Sequence, residues 1–527
     1  MSAILASRSD EGAAETAGAP PPPPRSCCCG LPYDAVVAFS TRTLRMFNYG
    51  AIAPVFFLFC IELGLSEQST GGLITAILLG DLLVTLYLTT RADALLGRRL
   101  TLVVGAVLKI LAGAVFASTS NFYALVAAGI IGVISTSGGE CGPFQAIEQA
   151  ALTDAVIEAC GGGAAEVAVL YGYYNMVGYL GQAAGALASG VAVAALRGGP
   201  LHLSALDAYR AVFAFYGGIG LLMALLYATM TQRAEPRHKA PAAADASAAD
   251  AAAAEAPRCP AALSALLPRL NFGLRRPESK YIVARLSVMF AMDAFAGAFV
   301  MQTWISFWFA QTYSFDSALL GYLLMGANIV AGASGVAAAH LVRRFGAMLT
   351  MIATHFPSNI LLLAVPLMPG GAAAAGMLIA RFSISQMDVP ARQAYVTMVV
   401  ASDERSAAGG ITNLVRSLGM ALAPLLLGYL SSAPSRTLRF DSPWLIAGVV
   451  KCLYDVILYA LYRCDGTLTG GEAAAAKDRA AAATAAAAGA PAATAKAGGA
   501  GDSIAEPLLA GEGGADDERP PAQGRIN

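Results

Sequence analysis

The sequence predicts an all-α integral membrane protein of twelve transmembrane helices, built as two six-helix repeats with both termini in the cytoplasm. Three observations carry that expectation: a composition suited to lipid, a train of span-length apolar runs, and a self-similarity between the two parts of that train. Of the 527 residues, 57% are hydrophobic and only 13% are charged, whereas a soluble chain carries about a quarter charged residues. The net charge of -1 argues against nucleic acid as a partner. Nine cysteines without CxxC or Cys/His spacing, and four histidines, give no metal site, no disulfide framework and no Ser/His/Asp constellation. No GxxxxGK(S/T) phosphate loop occurs, so the chain is expected neither to hydrolyse ATP nor to be an enzyme or hold a cofactor.

A helix needs about 20 mostly apolar residues to cross a bilayer. Runs of that length fall near 38–62, 70–91, 100–119, 122–148, 166–192 and 208–230, then near 281–311, 318–341, 347–367, 371–396, 407–431 and 443–463. The chain therefore divides into a disordered N-terminus (1–35), a first bundle (36–230), a polar linker (231–280), a second bundle (281–465) and an Ala/Gly/Pro-rich tail (466–527). Lys and Arg collect in the loops on the side of the termini, at Arg91, Arg98, Arg99, Arg343, Arg344, Arg405 and the linker. That bias places both termini inside.

The repeat is legible residue by residue. A shift of 238 (404 − 166) superposes the fifth span on the eleventh and matches Glu166/Glu404, Gly172/Gly410, Asn175/Asn413, Gly181/Gly419 and Gly190/Gly428. A shift of 249 (346 − 97) matches Gly72 with Gly321 and Gly97 with Gly346. Duplicated halves of this kind are related by an axis along the membrane normal, with the substrate between them near the midplane.

The loop Thr90-Arg91-Ala92-Asp93-Ala94-Leu95-Leu96-Gly97-Arg98-Arg99 resembles the signature loop of the major facilitator superfamily (MFS). Thr89 stands where the family has its leading Gly, and Asp93 is one residue further from the Gly than usual. The resemblance implies the MFS fold, a secondary transporter working by alternating access, and a cytoplasmic latch made by Arg91, Asp93, Gly97, Arg98 and Arg99, with Glu148 paired to Arg91 or Arg98. Gly172, Gly181, Gly185 and Gly190 in the fifth span are similar in spacing to the antiporter motif of proton-coupled exporters, with Ala186 where that motif has Pro; the matching Pro is Pro424 in the eleventh span. Ordinary small-residue helix packing is the competing reading. The stretches 138–149, 293–297, 381–393 and 403–405 resemble a branch of facilitators in bacteria and microbial eukaryotes that lacks an assigned substrate.

An ionisable group inside a span costs several kcal/mol unless paired or hydrated, so each is a functional candidate. Glu140, beside Gly138, Gly139, Gly142 and Pro143, is the leading proton carrier, followed by Asp293 and Asp81; a structural hydrogen bond is the alternative for Glu140. Asp81 is expected to pair with Arg45. Asp293, Gly297, Trp304 and Trp308 share one helix stripe that would line the cavity, with the indoles as a binding wall. Packing against neighbouring helices, with Trp308 anchored at the interface, is the alternative. Arg381, Asn175, Asn413, Trp304 and Gln302 are read as lining the substrate cavity. Asp388 and Arg392, one turn apart on the face that also carries Arg381, read as an internal ion pair. His355 and Asn359 are expected at the periphery.

The function expected is therefore proton-coupled export of a small organic solute by a monomer in the lipid bilayer. Uptake or uniport of a nutrient or organic anion is the alternative within transport, and a transporter-like sensor the alternative outside it. The tail segment 503–509 is similar to short acidic dileucine signals of vacuolar transporters, which leaves plasma membrane and vacuolar membrane both open.

Overall fold

The computed structural model describes residues 33–95, 97–132, 134, 144–145, 147–149, 152, 164–231, 274, 276–400, 404–435 and 437–464. Glu140, the dileucine-like segment 503–509 and most of the linker lie outside them. The first half of the chain forms α1 (Tyr33–Ile52), α2 (Phe56–Glu62), α3 (Glu67–Leu95), α4 (Arg98–Ser118), α5 (Phe122–Ile131), α6 (Ala164–Gly198) and α7 (Ala205–Ala228). The second half forms α8 (Pro277–Ala298), α9 (Gln302–Tyr313), α10 (Ser317–Phe345), α11 (Ala347–Ala364), α12 (Gly371–Ser385), α13 (Asp388–Val399), α14 (Arg405–Ser431) and α15 (Ser442–Cys464). No strand occurs among the described residues.

Nine of these segments are long and apolar enough to cross a membrane, and ten if α1 and α2 form one bent span. Two sequence spans remain. The span at 122–148 runs from α5 into residues outside the description, and the one at 371–396 is divided into α12 and α13. Pro390 explains that division. It lacks an N–H and its ring crowds the carbonyl four residues back, which favours a helix's first turn, and the helix restarts at Asp388, two residues before it.

The first span of each half is broken too. Pro54 separates α1 from α2, which are bent by 43°. In the second half Phe299 and Val300 turn back to Ala296 and Gly297, and Met301 is extended before α9 begins. The single seventh-span helix expected from sequence therefore does not exist. The stripe from Asp293 to Trp308 is lost with it.

Duplication appears in the packing. α1 lies on α6 as α8 lies on α14, α4 on α7 as α11 on α15, and α6 on α10 as α14 on α3. The last two contacts join the halves. Their crossings are matched: a Cβ on Gly190 would sit 2.4 Å from the Ser317 carbonyl oxygen, and one on Gly428 2.6 Å from that of Glu67. Gly190 faces Gly321, and Gly428 faces Gly71. The structural partner of Gly321 is thus Gly71, one residue from the Gly72 that the sequence shift selects.

We call the end holding these crossings distal, because it lies opposite the ends at Tyr33 and Cys464. There the Phe57 and Phe307 rings meet at 4.4 Å between the halves, and Arg439 forms an ion pair with Glu67. At the opposite, terminal end the ties run within each half. Thr231 N–H donates to Asp34 at 2.8 Å, and Arg276 N–H to Glu404 at 2.8 Å.

Gly97 and Gly346 carry the repeat into the backbone. Their angles are φ 76, ψ 163 and φ 86, ψ 164, a region open essentially to glycine alone. Gly346 ends one helix and starts the next, and Gly97 starts α4, neither with a capping side chain. Gly97→Ala is expected to destabilise the protein by about 1–3 kcal/mol, read as a lower unfolding temperature in detergent, with Gly346→Ala behaving alike.

Candidate functional site

Buried polar groups meet where the halves face each other. From α6, Gln182 donates to Gln302 on α9 at 3.0 Å, and Gln302 donates to Asn328 on α10 at 2.9 Å. One turn nearer the terminal end, Tyr179 donates to Gln386 at 2.7 Å. Tyr179 lies within electrostatic reach of Arg42 in the first half and of Asp388, Arg392 and Arg416 in the second. Neutral hydrogen-bonding groups thus bridge the seam, with charge behind them on either side.

Of the residues expected to line a substrate cavity, Gln302 is in this seam and Trp304 is not. The Trp304 indole is fully buried, donates to Ser431 at 3.3 Å and packs on Trp444 at 5.6 Å. Trp308 packs on the same Trp444 ring. The indoles fill the distal core of the second half together with Trp444. Asn175 is half-buried and Asn413 exposed, and neither bonds to the seam.

The first half buries a charged cluster behind the seam. Arg45 on α1 pairs with Glu148 at 2.7 Å. Glu148 also accepts hydrogen bonds from Thr41 at 2.9 Å and from the Tyr174 and Tyr227 hydroxyls, and it is completely buried. The sequence places Glu148 in a surface latch; the structure corrects this. Four converging donors satisfy the carboxylate internally. The expected Arg45–Asp81 pair is replaced for the same reason, since Arg45 is taken by Glu148. Arg42 lies over the Tyr174 ring at 4.7 Å.

The second half has its own cluster. Asp293 meets Lys451 directly, His355 Nε2 at 3.4 Å and Arg392 at 3.5 Å. The expected Asp388–Arg392 pair is present at 3.3 Å. His355 Nδ1 and Asn359 each lie 2.8 Å from Asp455. Both are buried, which corrects the peripheral placement: α11 packs its polar turn against α15 instead of turning it outward. Arg381 is buried over the Phe382 ring at 5.3 Å, and among the described residues it has no ion pair. Donor atoms of Asp293, His355 and Asp388 approach within 4.8 Å of one another. They do not fit a metal ion, because Lys451 and Arg392 already bring positive charge to those carboxylates.

The latch and glycine residues divide. Gly97 begins α4 as described, and Arg99 donates to the Ala228 carbonyl at the end of α7. Arg98 is half-exposed, and the side chains of Arg91 and Asp93 lie outside the described residues. Gly181 and Gly185 admit the Thr43 and Phe47 carbonyls of α1, so they pack one half internally. Gly190 and the Pro424 carbonyl, which abuts Gly71, belong to the crossings between halves. Gly172 has nothing near it.

Sequence reasoning missed Lys109, Lys451, Tyr174, Tyr227, Gln182 and Asn328. The rule that flags acids inside spans applies equally to lysines, and it would have found Lys109 and Lys451. The tyrosines and amides give no such signal, being common in helices that face either core or lipid.

The profile of the Major Facilitator Superfamily matches residues 38–387. The chain belongs to the Major Facilitator Superfamily. As a facilitator it is a multi-pass integral membrane protein and a transporter rather than an enzyme. It is similar to an uncharacterized membrane protein of Saccharomyces cerevisiae, 24% identical over 438 residues that cover 81% of this chain and 94% of that protein. Among solved structures, this facilitator resembles the nucleoside transporter NupG with TM-score 0.59 and 12% identity, over 82% of this chain and 100% of that one. It resembles a D-xylose-proton symporter with TM-score 0.59 and 15% identity, over 81% and 97%. A bacterial homolog to the human lysosomal transporter Spinster, inward-facing and unoccupied, gives TM-score 0.57 and 16% identity, over 84% and 99%. Identities this low speak for the shared fold and leave the solute open.

Proposed function

We propose that this facilitator exports a small organic solute by alternating access, driven by protons, with its terminal end in the cytoplasm and the monomer as the working unit. The observation that carries the reading is the matched pair of crossings, α6 on α10 and α14 on α3. Two equivalent contacts let the halves rock as bodies about the seam between them. Proton coupling is supported by ionisable side chains buried in both halves, where charge is tolerated chiefly for function. The basic loops of the terminal end support its cytoplasmic placement. Export is supported by the fifth-span glycines, of which Gly181, Gly185 and Gly190 make close helix contacts.

A second reading, carriage of an organic anion, is favoured by Arg381, whose buried Nε has no hydrogen-bond partner. Purified protein in liposomes under an imposed pH gradient tests both. Proton-driven export predicts solute-dependent proton flux that is lost in Glu140→Gln, against a screen of neutral and anionic metabolites. Flux indifferent to pH in both proteins would sink the proton-driven reading. Ligand binding without any flux would mark a sensor.

A further inference from the structure

Seven acids are buried among the described residues: Asp34, Asp81, Glu148, Asp293, Asp388, Glu404 and Asp455. Six are held by donors on the protein itself, among them Asp34 by Thr231 and Glu404 by the Arg276 N–H. Glu148 takes Arg45, Thr41, Tyr174 and Tyr227. Asp293 takes Lys451, His355 and Arg392, Asp388 takes Arg392, and Asp455 takes His355 and Asn359. A carboxylate so enclosed gains a proton only by breaking those contacts. Asp81 differs. Its Oδ1 is buried without a hydrogen-bond partner, and no cation among the described residues lies within ion-pair distance of it.

The nearest counter-charges to Asp81 are Lys109 and Arg45. Arg45 is taken by Glu148. Lys109, on the neighbouring helix α4, is 2% exposed, and its ammonium sits 4.9 Å over the Tyr216 ring and 5.8 Å from that of Phe144. Aromatic faces hold a cation by their quadrupole without neutralising it. The ammonium is therefore kept close enough to act on Asp81 yet is not locked onto it. The other groups facing the pair are Arg45 from α1, Glu148, and from α7 the Tyr216 hydroxyl, which is buried without a partner and within reach of Asp81. Tyr174 of α6 and Tyr227 of α7 are committed to Glu148.

We propose that Asp81 and Lys109 form a proton-exchange site in the first half, with Asp81 Oδ1 receiving the proton and Lys109 acting as a positioning charge. Hydronium gives its proton to Oδ1, an O–H bond forms on the carboxyl as one breaks on the donor, and water departs. The site passes from carboxylate beside ammonium, neutral overall, to carboxylic acid beside ammonium, carrying one positive charge. A charge that appears only in the loaded state makes that state harder to bury. This is the energetic difference that coupling to a gradient needs. The inference deepens the proton-driven reading given above and rests on it for its role in transport.

The test uses the full chain in liposomes and the proton itself as probe. Infrared difference spectra between acidic and neutral baths report the carbonyl stretch of a protonated buried carboxylic acid. We expect that band in the wild type, in Asp293→Asn and in Glu140→Gln, and the loss of one component of it in Asp81→Asn. Lys109→Met should move the pH at which it appears, and Lys109→Arg should restore wild-type behaviour. A band undiminished in Asp81→Asn overturns the proposal, as does a pH response unchanged in Lys109→Met. Should Asp81→Asn fail to fold, the Met and Arg variants of Lys109 decide alone. A band assigned to Asp81 in a protein without proton-coupled flux would refute the coupling and leave the site standing. Coupled flux that persists in Asp81→Asn would do the reverse.

Discussion

Gly428→Leu should drive the distal ends of the halves apart and leave each half folded. The new side chain would begin 2.6 Å from the Glu67 carbonyl oxygen and 3.1 Å from Gln68 Cα, both main-chain atoms of α3 that cannot rotate aside. Overpacking of this kind costs about 1–3 kcal/mol. Applied to a contact between bodies, it shifts the balance of closed and open distal ends by roughly 5–150-fold. Spin labels on the exposed Ser66 and Ser435 give the readout: a longer distance population should appear in Gly428→Leu and in the matched Gly190→Leu, and transport should fall in proportion. Gly172→Leu is the control, since nothing lies within 4 Å of that Cβ. An unchanged distance in the two crossing variants would mean that the crossings do not hold the distal end shut.

Glu148→Ala should be the most destabilising single substitution in the first half. It leaves the Arg45 guanidinium buried without its carboxylate and deprives Thr41, Tyr174 and Tyr227 of their acceptor. Removing one partner of a buried pair costs about 3–5 kcal/mol. The expected result is loss of monodisperse protein on size exclusion, or a steep fall in unfolding temperature. Arg45→Met combined with Glu148→Met should recover part of that loss, because no unpaired charge remains. A double-mutant cycle in which the two effects simply add would show that the pair contributes no coupling.

Hydrophobic length and small-residue identity made the repeat and the span boundaries readable. Gly97 and Gly346 were legible because an Ala at either position meets a forbidden backbone, which forces the same residue in both copies. The one-residue slip between Gly72 and Gly71 was not, since adjacent glycines score alike and only the crossing distinguishes them. Helix breaks escaped for a related reason: apolar periodicity continues across 299–301, and nothing there matches the punctuation that Pro54 provides in the first half. The pairing of Glu148 with Arg45 joins residues 103 apart, and loop charge alone pointed elsewhere. Asp388 and Arg392, by contrast, sit one turn apart on one helix, so their pairing was local enough to read.

The interrupted first spans have a bearing on how the seam can be mapped. Each restart of a helix leaves up to four main-chain N–H groups without intrahelical acceptors, and α9 restarts at Gln302, inside the amide bridge with Gln182 and Asn328. A solute that docks against that restart would be held partly by the backbone, which every substitution except proline preserves. Alanine scanning would then report a weak, scattered footprint even for a tight and selective ligand. Proline replacement, or backbone ester replacement at 302–304, is the substitution chemistry suited to this seam.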